Sequence, residues 1–168
     1  LLTTGPFTTG AMPSGDILVV GGDKHNVVRF SGASGSFVAD FVPPGSGGLG
    51  TTRSAIYGPN GNLYVTSAGT AEIIEYNGTT GAFVKIFVAR NSGGIQSPYD
   101  LTFGPNGDLF VSDVNTGHVY RYDGGTGASL GVFSQTPIPP MRGIAFGSNG
   151  DLYACSWGGP LGGGVYRY

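Results

Sequence analysis

Charge is scarce in this chain: 8 Lys and Arg against 10 Asp and Glu in 168 residues, a formal net charge of −2 at pH 7. So few cations build no basic stripe, which argues against nucleic acid as a partner. No apolar run approaches the roughly 18 residues of a membrane-spanning helix. The single cysteine, Cys155, has no mate for an internal disulfide and leaves the redox compartment open. No segment keeps a 3.6-residue apolar period for three turns, so helices are not expected. The N-terminal stretch LLTTGPFTTG lacks an initiator Met, a basic region and a signal core, as a processed or excised piece would. The composition, poor in charge and rich in Ser, Thr and Gly, points to an extracellular or secreted protein.

Glycine is what the chain has in excess, 33 residues, about three times the usual share. There is no Gly-X-Y period, and apolar residues are plentiful, so neither collagen nor disorder fits. The glycines fall instead at repeated places. GDILVV, GNLYVT, GDLFVS and GDLYAC start at Gly15, Gly61, Gly107 and Gly150, spaced 46, 46 and 43 residues apart. VVRF at Val27, IIEY at Ile73, and VYRY at Val119 and again at Val165 keep the same step. SGASGSF, NGTTGAF and DGGTGAS follow from Ser31, Asn77 and Asp123. A period of this length is a supersecondary unit stacked beside its own copies.

The second copy reads as four strands. RSAIY from Arg53 ends at Gly58-Pro59-Asn60-Gly61, where Asn-Gly signals a tight hairpin with positive φ expected at both residues. NLYVTS alternates Leu63 and Val65 with Tyr64 and Thr66, EIIEY follows, and AFVKIFV closes the unit after the Asn77–Gly81 turn. Strands three and four look apolar on both faces and so require a sheet on each side. Radially packed blades supply that, and the expected fold is an all-β β-propeller of about four four-stranded antiparallel blades, in one domain with repeats near 7–42, 53–88, 99–133 and 142–168.

The units GPN-G-D/N-L-Y/F-V-S/T, then V-x-R-Y/F, then D/N-G-x-T-G resemble NHL-type propeller repeats, best in GPNGDLFVSDVNTGHVYRYDGGTG (Gly104 to Gly127) and over the whole chain from about Gly15. The resemblance implies the fold and leaves function open, because such propellers serve as scaffolds, binding platforms and enzymes. The family's frequent basic residue at the start of strand three is replaced here by Asn26, Glu72, His118 and Gly164. A looser likeness runs to the gluconolactonase and senescence-marker propellers, which are metal-dependent hydrolases. Their ligand set does not map onto this chain residue by residue.

The fourth copy stops at Tyr168 without a fourth strand, and Leu1 and Leu2 before Gly5-Pro6 are too short to supply it. Either the chain belongs to a larger propeller, which fits better, or its blade edges pair with another copy or another protein.

Two catalytic patterns fail on context. Gly45-Ser46-Gly47-Gly48-Leu49-Gly50 matches G-x-G-x-x-G but follows Pro43-Pro44 and precedes a strand, so a flexible inter-blade loop is expected. Gly127-Ala128-Ser129-Leu130-Gly131 matches G-x-S-x-G, yet Ser129 starts an outer strand where earlier copies carry Phe37 and Phe83. No catalytic residue, metal site or cofactor is assigned. His25 and His118, one per blade and without supporting carboxylates, read as loop histidines. Arg29, Glu75, Arg121 and Arg167 hold one equivalent position and are expected to pair between neighbouring blades. Asn77-Gly78-Thr79 is a glycosylation sequon that matters only in a secretory pathway.

One constellation remains. The loops between strands two and three, the inter-blade loops and the start of the innermost strand share one end of a propeller. Register places Asp23, Lys24, His25, Arg53, Tyr99, Asp100, Asp113, His118, Arg142 and Trp157 there. Arg53, Tyr99 and Arg142 each stand five residues before Gly58, Gly104 and Gly147. Two arginines flanking an aromatic suit a small anionic or sugar-like ligand. The expected function is a non-enzymatic binding or assembly module whose partners are proteins or further copies of itself. The alternative is a gluconolactonase-like hydrolase or lyase with metal or acid-base residues partly outside this chain.

Overall fold

The computed structural model describes residues 15–158 and 163–168. The innermost strand expected in the first repeat, from residue 7, lies outside them. Fourteen strands follow one another with no α-helix among the described residues: β1 Ile17–Val20, β2 Val27–Phe30, β3 Phe37–Val42, β4 Thr52–Tyr57, β5 Leu63–Ser67, β6 Glu72–Tyr76, β7 Phe83–Val88, β8 Pro98–Phe103, β9 Leu109–Asp113, β10 Val119–Tyr122, β11 Ser129–Val132, β12 Met141–Phe146, β13 Leu152–Ser156 and β14 Gly164–Arg167. They form four antiparallel meanders, β1-β2-β3, β4-β5-β6-β7, β8-β9-β10-β11 and β12-β13-β14. No described helix is long and apolar enough to cross a membrane. The chain is a β-propeller, with each repeat one blade.

The period-2 pattern decides which way each blade faces. Leu63 and Val65 of β5 pack backwards, with Ile74 and Tyr76, onto Val27, Phe41 and Val42 of the first blade. Tyr64 and Ile73 pack forwards onto Leu109, Val111, Tyr120 and Tyr122 of the third. Phe110 and Val119 continue onto Ile144, Leu152 and Ala154 of the fourth. Every internal blade is therefore buried on both faces, and each such side chain contributes about 1.5–3 kcal/mol. The outer strands depart from that pattern. In β3 and β7 only the last two residues are buried, and Phe37, Val38, Phe83 and Val84 are exposed, so strand four closes the blade against solvent and not between neighbours.

Turns explain the repeated glycines. In the Gly58–Gly61 hairpin only Gly61 adopts positive φ (78°), and Asn60 does not. The Asn60 side chain instead accepts the Asn62 N–H at 3.1 Å, so the turn is of another type than the Asn-Gly dipeptide predicts. Gly81, at φ 71°, lies so close to the preceding blade that a Cβ would stand 1.7 Å from the Phe41 carbonyl oxygen, and Gly127 repeats this against Phe87 at 1.9 Å. The G-x-G-x-x-G segment is the expected connection between blades one and two, and part of it has a regular turn. Ser46–Gly48 is a 3₁₀ turn, the Tyr76 hydroxyl donates to the Ser46 carbonyl at 2.7 Å, and Leu49 is buried. Ser92–Gly94 copies it, with Tyr122 donating to Ser92 and Ile95 buried.

The charged residues of strand three pair inside their own blade, contrary to expectation. Arg29 meets Asp16, Arg121 meets Asp108 and Arg167 meets Asp151. Glu75, in the blade that carries Asn62 in place of that Asp, accepts hydrogen bonds from Asn60, Asn62 and Tyr64 and faces Lys85. The Gly-Asp/Asn turn brings the start of strand two beside the end of strand three, which is closer than any neighbouring blade.

Candidate functional site

The innermost strands β4, β8 and β12 carry the site, and all three are irregular at the same place. Their register with strand two shifts between Thr52 and Ala55, between Pro98 and Leu101, and between Met141 and Ile144. A bulge of this kind re-aims side chains and leaves backbone groups to be satisfied elsewhere. Strand two does so. The Thr66 hydroxyl accepts the N–H groups of Arg53 and Ser54 at 3.2 and 2.8 Å, Ser112 accepts that of Asp100 at 3.0 Å, and the Cys155 sulfur that of Gly143 at 3.2 Å. The same hydroxyls reach the next blade: Thr66 donates to the Tyr99 carbonyl and Ser112 to that of Arg142. The bulges set Arg53, Tyr99 and Arg142 at equivalent places on neighbouring strands.

Those side chains touch. The Arg142 guanidinium lies 4.9 Å from the Tyr99 ring centroid and 5.2 Å from that of Trp157, and its Nη1 donates to the Tyr99 hydroxyl at 2.8 Å. Arg53 lies 5.9 Å from the Tyr99 ring. The result is a ladder, Arg53–Tyr99–Arg142–Trp157, across three blades. Trp157 is the chain's only tryptophan and is 75% exposed. Among the described residues neither Arg53 nor Arg142 meets a carboxylate, whereas Arg29, Arg121 and Arg167 each do. The buried Nε of Arg142 has no hydrogen-bond partner.

The other candidates serve the scaffold. Asp100 locks three inner strands together: Oδ1 accepts the Ser54 hydroxyl at 2.6 Å and the Leu101 N–H at 2.9 Å, and Oδ2 accepts the Ile144 N–H at 2.9 Å. Asp113 is buried and accepts four backbone N–H groups, from Gln96 and Ser97 at 2.6 Å and from Asn115 and Thr116 at 2.9 Å, so it ties an inter-blade loop and offers nothing outward. His118 Nδ1 is bonded to the Ser134 carbonyl at 3.0 Å. His25 takes a left-handed backbone, φ 54°, at the end of the 3₁₀ turn that exposes Asp23 and Lys24, and its buried Nδ1 has no partner. Neither histidine touches the ladder among the described residues. Ser129 is exposed and its hydroxyl accepts the Gly131 N–H at 3.2 Å, with no histidine beside it. The spacing of Arg53, Tyr99 and Arg142 made the ladder legible. Ser54, Thr66 and Ser112 went unread, although the sixth residue of the GDLYV-type segment (Val20, Thr66, Ser112, Cys155) was there to compare.

Comparison with solved structures gives the fold independently. Virginiamycin B lyase from Staphylococcus aureus superposes with a TM-score of 0.68 at 18% identity, over 96% of this chain and 53% of that one. A chain of a Nidogen/Laminin complex gives 0.69 at 15% identity over 90% and 56%. A protein classed with the gluconolactonases gives 0.71 at 17% identity over 92% and 55%. The chain spans about half the length of the solved structures it matches. No family model and no curated protein matches the sequence. Enzymes and a binding protein stand side by side among these propellers, so the fold leaves the activity open.

Proposed function

We propose that this chain is a non-enzymatic, exported binding module whose ligand is a small anion with a sugar-like body, held on the Arg53–Tyr99–Arg142–Trp157 ladder. One observation carries the proposal: two guanidinium groups interleaved with aromatic rings and paired with no carboxylate among the described residues. A guanidinium fixed by flanking rings keeps its N–H fork for a carboxylate or phosphate, and ring faces beside it accept the apolar face of a sugar. Two further facts favour binding over catalysis. Asp100 and Asp113 spend their carboxylate oxygens on the scaffold and His118 its Nδ1, and the ladder itself holds no carboxylate and no imidazole. Export rests on composition alone.

The exposed Trp157 provides the readout. Its fluorescence is followed during titration with glucuronate, glucose and inorganic phosphate. A saturable change with glucuronate that glucose does not reproduce, and that the Arg53→Ala/Arg142→Ala double variant loses by at least about 2 kcal/mol, supports the proposal. Equal responses to glucose and glucuronate, or none to any of the three, sink it.

A further inference from the structure

The arginines of strand three meet carboxylates along one edge of the guanidinium. Arg29 turns both Nε and Nη2 to the same Asp16 oxygen, Arg121 does so to Asp108, and Arg167 turns its Nε to Asp151. Arg142 has the same edge with nothing on it. Its Nη1 is taken by the Tyr99 hydroxyl at 2.8 Å, and its Nε is buried without a hydrogen-bond partner. Nη2 meets no acceptor among the described residues. A buried N–H of this kind destabilises the free protein until an acceptor reaches it. Arg53 differs from Arg142 in each respect. It is exposed, and among the described residues its guanidinium has no hydrogen bond to fix its plane. It also lies farther from the Tyr99 ring, at 5.9 Å against 4.9 Å.

We infer that the ligand of the ladder is a carboxylated sugar of the uronic acid type, its carboxylate seated on the Nε–Nη2 edge of Arg142 and its ring against Trp157. The inference rests on the ladder being the binding site and names which atoms grip and what they grip. The Tyr99 hydroxyl holds the guanidinium plane in place, so the open edge is set before the ligand arrives, and a planar carboxylate matches a planar fork. That edge offers one fixed positive charge. A phosphate monoester brings close to two negative charges and three acceptor oxygens, and it would need a second cation held in place, which Arg53 is not. The Trp157 indole, 5.2 Å from the guanidinium, is within reach of a sugar ring joined directly to the carboxylate. A carboxylate reaching the buried Nε needs a neighbour to give way, and the 75% exposed Trp157 has room to turn. Arg53 then contributes charge across the Tyr99 ring and no directed contact.

Calorimetric titration of the 168-residue chain with glucuronate and with glucose 6-phosphate tests it, beside the Arg142→Lys and Arg53→Lys variants. Both substitutions keep the charge and remove the planar fork, and circular dichroism checks that each variant folds as the parent does. Glucuronate should bind the parent at least about fivefold more tightly than glucose 6-phosphate. Arg142→Lys should weaken glucuronate by about tenfold or more, the loss of a charge-assisted hydrogen bond. Arg53→Lys should weaken it by less than about threefold, as for an exposed charge. Glucose 6-phosphate binding as tightly as glucuronate overturns the inference and leaves the ladder a general anion site. So does a loss in Arg53→Lys that equals or exceeds the loss in Arg142→Lys. The preference of the parent between the two ligands decides the matter even if a variant fails to fold. A parent that binds neither ligand removes the ladder reading itself, and this inference with it.

Discussion

The guanidinium of Arg29 and the carboxylate of Asp16 are partners within one blade, Nε donating to Oδ2 at 2.6 Å. The pair recurs as Arg121 with Asp108 and Arg167 with Asp151. Blade two changes both members together: Glu75 stands for the Arg and Asn62 for the Asp, and the Asn62 amide donates to the Glu75 carboxylate at 2.7 Å. The residue that starts strand two and the one that ends strand three form a single unit of complementary polarity.

That unit can be exchanged. Glu75→Arg alone removes the acceptor of Asn60, Asn62 and Tyr64 and places a cation without a carboxylate in a buried position, at a cost of roughly 2–4 kcal/mol. Adding Asn62→Asp restores the arrangement of the other blades and should recover at least about 1 kcal/mol. Urea denaturation of the two single variants and the double variant gives the coupling. Additive effects would show that the two positions are independent.

Acid should loosen the same blade. Burial alone would push the Glu75 carboxyl up, but hydrogen bonds from Asn62 and Asn60, the Lys85 charge and the Tyr64 hydroxyl outweigh it and leave the pKa below the ordinary 4.5. A depressed folded pKa gives stability that is present above the unfolded value and lost as pH falls through the folded one. The stability advantage of the parent over Glu75→Gln should therefore be full above about pH 5 and shrink on acidification. Asp16, held down by the Gly32 N–H and then by Arg29, and Asp123, held down by the Thr126 hydroxyl and neighbouring N–H groups, shift the same way. Denaturation midpoints measured between about pH 3 and 6 decide it, and a constant difference across that range contradicts the assignment.

The blades were legible because each marker has a local cause. Gly61 and Gly107 need a left-handed turn, Leu63 and Val65 alternate with Tyr64 and Thr66, and Gly81 leaves room for the blade before it. The position of Arg53, Tyr99 and Arg142 followed from the same register. The scaffold roles of Asp100 and Asp113 did not, because a carboxylate that caps backbone N–H groups looks the same in a sequence as one aimed at a ligand. The intra-blade partner of Arg29 was missed for a different reason. Asp16 is thirteen residues away in the chain, and only the closing of two turns brings it closer than the charges of the next blade.

Asp100, the one carboxylate on inner strands β4, β8 and β12, should matter to stability. Asp100→Ala removes three hydrogen bonds and leaves the N–H of buried Ile144 without its partner across the blade junction. A loss of about 3 kcal/mol follows from one charged acceptor bond and one orphaned donor. Asp100→Asn keeps one acceptor oxygen and should fall between the two. If Asp100→Ala unfolds at the same urea concentration as the parent, the three-strand lock is not a source of stability.

Tyr99 separates two contributions to the ladder. Its ring spaces the two guanidinium groups, and its hydroxyl occupies Nη1 of Arg142. Tyr99→Phe keeps the ring and frees that N–H, so glucuronate should bind as well as to the parent or better in the Trp157 fluorescence titration. Tyr99→Ala removes the ring, lets both arginines swing, and should weaken binding by about 1 kcal/mol, the usual worth of an exposed cation–π contact. Tyr99 lies partly open to solvent, so neither change should alter the stability from urea denaturation by much more than about 0.5 kcal/mol. If Tyr99→Phe weakens binding as much as Tyr99→Ala, the hydroxyl itself touches the ligand, and Arg142 is held by Tyr99 in the free protein only until the ligand replaces it.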